Sequence, residues 1–131
     1  MSTAAARTER LELRTAAEPS AVGKIRRAVR EFAALHGVAD THAVALAVTE
    51  AVTNAILHAY RDGSHGDVRV VACAEPERLV VVVRDYGCGM RPRHDSPGLG
   101  IGLSTVGHLA SHFNVEAPDG DGTRVRMHFP R

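Results

Sequence analysis

Between His42 and Tyr60 the apolar residues Val44, Ala47, Val48, Ala51, Ala55 and Ile56 recur at the spacing of a core-facing helix. Along the same segment Glu50, Asn54 and His58 follow one another at intervals of four residues, so a helix stacks them one above another. A helix that is apolar on most sides belongs in an interior. This one has to be buried while carrying a strip of acid, amide and imidazole, which is a strong constraint on any fold that contains it. A strip turned to solvent, or capped by a neighbouring loop, would show the same spacing, so the rest of the chain has to decide what the strip faces.

The 131 residues are enough for one domain, which at this size buries roughly two-thirds of the surface its unfolded chain exposes. We expect residues 1–10 to be a disordered tail and residues 11–131 to form that domain. A net charge of +1, with 44% apolar and 24% charged residues, is ordinary for a globular protein and does not suggest a nucleic-acid-binding protein. Cys73 and Cys88 do not make a disulfide framework, and the amino-terminal residues lack the pattern of an export signal. The expected location is therefore the cytoplasm. Ala43 to Ala59 approaches membrane-spanning length, but Glu50, Asn54 and His58 would each be costly in lipid, so no membrane association is expected.

Leu11 and Leu13 alternate with polar neighbours as a short strand. Pro19 and Ser20 then open a helix through Val22, Ile25, Val29, Phe32 and Leu35 that stops at Gly37. Asp40 is the expected N-cap of the second helix, which should run to about Tyr60 before the break at Asp62-Gly63-Ser64. Val68, Val70 and Ala72 mark a strand, and the turn Glu75-Pro76-Glu77 leads to the apolar run Leu79 to Val83, the second arm of a hairpin. Leu103, Val106, Leu109, Ala110 and Phe113 are spaced as a third helix. Val115 should begin a strand, Asp119-Gly120-Asp121-Gly122 a tight turn, and Val125, Met127 and Phe129 the inward residues of a closing strand. The order β-α-α-β-β-α-β-β predicts an α+β fold, a two-layer sandwich of helices on a mixed, mostly antiparallel sheet.

Phosphoryl transfer from ATP needs a divalent cation, a group that organises the nucleophile and donors that hold the triphosphate. Asn54 offers an amide oxygen to Mg2+, which prefers hard oxygen ligands. Glu50 lies one turn earlier, placed to accept a proton from the attacking group, and His58 one turn later, placed to donate to a phosphate oxygen. Asp85 ends an apolar strand just before Gly87 and Gly89. A carboxylate there can accept from an exocyclic amine such as that of adenine, while the glycines let a planar ring approach the backbone. Asp-x-Gly-x-Gly is also an ordinary tight turn. Gly98, Gly100 and Gly102 precede the third helix, where exposed amides favour phosphate, although a plain mobile loop has the same composition. The run is neither a P-loop nor a dinucleotide-binding turn. In the intervening segment, Met90 to Pro97, Arg91, Arg93 and His94 are either phosphate contacts or an exposed basic loop. His108 and His112 lack the glutamate of a zinc peptidase, and Ser104 and Ser111 lack the glycines of a hydrolase elbow.

Taken in order, Glu50-Ala-Val-Thr-Asn54-Ala-Ile-Leu-His58-Ala-Tyr60, Asp85-x-Gly87-x-Gly89, Gly98-x-Gly100-x-Gly102-Leu103 and Gly122-Thr123 resemble the N box and glycine boxes of the GHKL superfamily of ATPases. The resemblance spans about Leu11 to Phe129, and within the superfamily it is nearest to the stand-alone anti-sigma factor serine kinases. It implies the Bergerat ATP-binding fold, with Glu50 as general base, Asn54 on magnesium and Asp85 on the adenine amine. Gly87, Gly89, Gly98, Gly100, Gly102, Leu103 and Thr123 would surround the nucleotide, with His58 beside them. It also implies two protein partners, a sigma factor and a STAS-type anti-anti-sigma protein whose serine accepts the phosphate, and commonly a homodimer. The competing readings are a nucleotide-dependent protein-binding switch without phosphotransfer and a stand-alone ATPase. Glu50 favours chemistry over binding alone, because a binder needs only Asn54, Asp85 and the glycines.

Overall fold

The computed structural model describes residues 9–59, 65–87, 106–117 and 122–131. Its elements, in chain order, are β1 (Glu9–Ala16), α1 (Pro19–Leu35), α2 (Thr41–Asn54), a π-helical turn (Ala55–Ala59), β2 (Asp67–Ala74), β3 (Arg78–Asp85), β4 (His112–Glu116) and β5 (Thr123–Pro130). Residues 106–109 are also helical.

Helix α1 starts with Pro19, whose fixed φ suits a first helical position. It ends in a Schellman motif, in which Val38 N–H donates to the Ala33 carbonyl (3.0 Å) and Gly37 N–H to that of Ala34 (3.2 Å). Gly37 takes φ = 77°, a conformation disfavoured for a residue with a Cβ, which is why the helix stops there. Asp40 caps α2 as expected, with Oδ1 accepting from Ala43 N–H at 3.0 Å.

Two expectations need correction. The second helix was expected to remain α-helical to about Tyr60, but Ala55–Ala59 winds as a π turn, and Tyr60 lies outside the described residues. Just before the change, the Asn54 side-chain amide donates to the Glu50 carbonyl at 3.0 Å, a local bond that competes with the helical ladder. The third helix was expected to include Phe113, with His108 and His112 both on it. Instead the helical residues end at Leu109, and His112 and Phe113 belong to β4, which starts three residues before Val115. Ser111 accounts for the turn, since its N–H (2.8 Å) and its hydroxyl (3.0 Å) both donate to the His128 carbonyl and draw the chain onto the sheet.

The sheet order is β1-β2-β3-β5-β4, and every described pairing is antiparallel. Helices α1 and α2 pack on each other, α1 also against β1 and β2 and α2 against β3. Strands covered on one side alternate apolar-in with polar-out. Here Val68, Val70 and Ala72 of β2, Val81 and Val83 of β3, and Met127 of β5 face the helices. Helix α2 meets them with Val44, Ala47, Val48, Ala51 and Val52, all buried, which meets the demand made by its sequence. Among the described residues, no helix is long and apolar enough to cross a membrane.

Candidate functional site

Among the described residues the buried polar side chains are Asn54, Asp85 and Thr123, exposed to 5%, 1% and 1%. All three are residues that the sequence pointed to. A polar group held inside an alanine and valine core without compensation costs on the order of 1–3 kcal/mol, so three of them, two on adjacent strands, call for a reason.

The backbone brings two of them side by side. Asp85 is the last residue of β3 and Thr123 the first of β5, and they are direct cross-strand partners. The Asp85 carboxylate accepts from Gly87 N–H at 3.2 Å and from the backbone N–H of Thr123. Burial nevertheless outweighs these bonds and the nearby Arg84 charge, and holds the carboxyl above its usual range. Asp85 is thus an under-compensated acceptor, suited to a donor arriving from outside.

Asn54 sits where α2 changes into the π turn, and both α2 and that turn pack against β3. Its Nδ2 is committed to the Glu50 carbonyl, so the oxygen is the side of the amide left for other work. Glu50, one turn earlier, is half-buried, as is His58 within the π turn. Single π turns inside α-helices are frequent at functional sites. Here the wider ring places His58 relative to Asn54 by a spacing that α-helical counting does not describe.

Sequence reasoning missed the role of Gly122. It has φ = 71° and is buried, and a Cβ built on it would overlap the Asp85 carbonyl oxygen and approach Tyr86 Cα to 2.8 Å. The backbones of β3 and the residue before β5 therefore touch at the site itself. We expect Gly122→Ala to destabilise the fold by about 2–4 kcal/mol, the combined effect of the clash and the positive φ, measurable by chemical denaturation. A loss below about 1 kcal/mol would mean that the strands part easily.

Cys88, Gly89, the segment Met90–Pro97 with Arg91, Arg93 and His94, then Gly98, Gly100, Gly102, Leu103 and Ser104 lie outside the described residues, as do Asp62-Gly63-Ser64 and Asp119-Gly120-Asp121.

Residues 15–129 match the histidine kinase-like ATPase domain family. An anti-sigma F factor of Clostridium acetobutylicum is 36% identical over 95 residues, covering 64% of this chain and 66% of that protein. A serine-protein kinase RsbW of Bacillus velezensis is 38% identical over 79 residues, covering 59% of this chain and 49% of the relative. The chain thus spans about half to two-thirds of the length of these curated relatives. Among solved structures, that of the RsbU and RsbW domains of Rv1364c from Mycobacterium tuberculosis matches with a TM-score of 0.72 at 25% identity, over 94% of this chain and 33% of that one.

Proposed function

Because the chain belongs to the histidine kinase-like ATPase domain family, we propose that the buried polar end of its sheet binds an adenine nucleotide and that the protein is a serine kinase that also restrains a sigma factor. The observation that supports this most directly is the coincidence of the buried polar residues Asn54, Asp85 and Thr123 with positions a nucleotide site would use. An adenine amine would give Asp85 the donor its surroundings leave wanting.

The donor set suits magnesium. Among the described residues no cluster of three or more His, Cys, Asp or Glu side chains forms a self-sufficient metal cage. Magnesium does not need one, because it is held by one or two protein oxygens together with phosphate oxygens and water. The Asn54 amide oxygen, left over by the bond that ties its nitrogen to Glu50, would be such a ligand. When bound, the ion would neutralise charge on the phosphates. Glu50 would take the proton of the attacking hydroxyl, and His58 would donate to a phosphate oxygen. Gly87, Gly89, Gly98, Gly100, Gly102, Leu103 and Thr123 would line the remainder.

The relatives carry the names anti-sigma F factor and serine-protein kinase. On that likeness the phosphate acceptor is a serine of a STAS-type anti-anti-sigma protein, and the alternative partner is a sigma factor held by a homodimer. The test is a pull-down from the native cell with and without ATP, followed by mass spectrometry for phosphoserine on the captured proteins. Capture of a sigma factor together with ATP-dependent phosphoserine on a STAS protein is the expected result. Nucleotide-dependent capture without any phosphoserine would instead favour a binding switch.

A further inference from the structure

The face of the sheet turned away from the helices carries an arrangement that the nucleotide site does not use. Arg14 of β1 is the direct cross-strand partner of Arg69 of β2, Arg69 of Arg84 of β3, and Arg84 of Arg124 of β5. Four arginine positions therefore stand in one rank across four neighbouring strands, their backbones about 4.8 Å apart and spanning about 14 Å. The register is fixed by the buried valines of the inward face, Val70 opposite Val83 and Val83 opposite Val125, and it leaves like charges directly opposite each other on the open face, which destabilises a sheet.

Carboxylates steady the rank without neutralising it. Asp67 pairs with Arg14 at 3.0 Å, Glu12 with Arg69 at 2.8 Å, and Glu116 with Arg124 at 3.0 Å. Glu12 also holds Arg10, and Glu116 lies 3.9 Å from Arg126 on the same face, so among the described residues these ion pairs share three carboxylates among five guanidiniums. The whole chain carries only +1, so this face concentrates positive charge. Tyr86 organises the centre. Its ring lies 5.1 Å from the Arg14 guanidinium carbon and 4.9 Å from that of Arg84, and it hydrogen-bonds Arg69. It is still 38% exposed, in keeping with the enrichment of tyrosine and arginine at protein interfaces. Beside the rank, Val71 and Val82 form a half-buried apolar strip.

We propose that this face docks an acidic amphipathic helix of a partner protein. Carboxylates three and four residues apart on one face of a helix recur every 5–6 Å or so, close to the step between the arginines. Apolar residues flanking them would meet Val71 and Val82. A nucleic-acid backbone fits less well, because Asp67, Glu12 and Glu116 are interleaved with the arginines and would repel phosphates. A second copy of the chain would bring basic face against basic face.

The test uses the full chain without nucleotide and with a chelator, so that its outcome does not depend on the nucleotide reading. The probe is a labelled synthetic helix of about 18 residues, roughly five turns, with glutamates along one face flanked by leucines. Its controls are the same peptide with glutamine for glutamate and a single-stranded DNA of similar length. Fluorescence anisotropy should show the glutamate peptide binding at least about tenfold more tightly than either control, and more weakly as salt rises. The double variant Arg84→Gln, Arg124→Gln should lose at least about tenfold in affinity while melting within about 3 °C of the parent, since both side chains lie half-buried on the open face rather than in the core. If that variant were unstable, Arg84→Gln alone should still weaken binding. Equal binding of the glutamate and glutamine peptides, unchanged affinity in both variants, or tighter binding of DNA would overturn the proposal. So would self-association of the parent that the double variant abolishes.

Discussion

Replacing Glu50 by alanine is expected to leave nucleotide affinity within about twofold of the parent while lowering phosphotransfer by roughly a hundred- to ten-thousandfold, the usual contribution of a general base. Replacing Asn54 by alanine should do the reverse at the binding step, removing most of the magnesium-dependent part of ATP affinity. The distinction follows from the roles. A metal ligand acts in the ground state, so its loss appears in binding, whereas a base acts mainly where the proton moves, so its loss appears in turnover. The structure also makes both variants usable. Glu50 is only half-buried, and alanine at position 54 removes a buried amide whose nitrogen bonds within its own helix, to the Glu50 carbonyl. Calorimetry with ATP, with and without magnesium, together with a single-turnover transfer assay separates the two effects. Wild-type transfer by the Glu50 variant would send the search for the base elsewhere, and magnesium-dependent affinity that survives in the Asn54 variant would remove the proposed ligand.

How much of this was legible beforehand depends on whether the decisive interaction is local. The ends of α1 were readable because Pro19 and the Gly37 Schellman turn act within a few residues of where they stand. The Asp40 cap likewise acts three residues ahead. Asn54 and Asp85 stood out because each is polar in an apolar run, and that contrast survives into the fold as burial. The failures are non-local. Phe113 keeps a helical spacing from Leu109 and Ala110, and only the two bonds from Ser111 to His128 show that the chain has already turned onto the sheet. Gly122 is constrained by the backbone of Asp85, from a distant part of the chain. The rank of arginines on the open face is a property of strand register. Each one looks like an ordinary outward residue of an alternating strand, and only the pairing of β1, β2, β3 and β5 aligns them.

Asp85→Asn should separate the function of this carboxylate from its effect on stability. A hydrogen bond to an ionised acceptor contributes about 1.5–3 kcal/mol, so the variant should lose about ten- to a hundredfold in ATP affinity and most of any preference for ATP over GTP. Its effect on the fold should depend on pH in a definite direction. Burial holds the native carboxyl above its ordinary value of 3.8. In the window between the unfolded and native values the native state therefore binds more protons than the unfolded one, and stability falls as pH rises through that window. The Asp85 contribution is fully present below the unfolded value and lost above the native one. Asparagine has no such titration. The melting temperature of the variant minus that of the parent should therefore increase on going from below pH 3.8 to neutral pH, whatever constant offset the altered hydrogen bonds introduce. Thermal melts without nucleotide across that range provide the measurement. A difference that does not change with pH would show that Asp85 is adequately solvated or paired without a ligand, and the argument that its burial awaits a donor would fail. ATP and GTP bound equally by the parent would fail it from the other side, because a carboxylate that accepts from the adenine amine has to discriminate between the two rings.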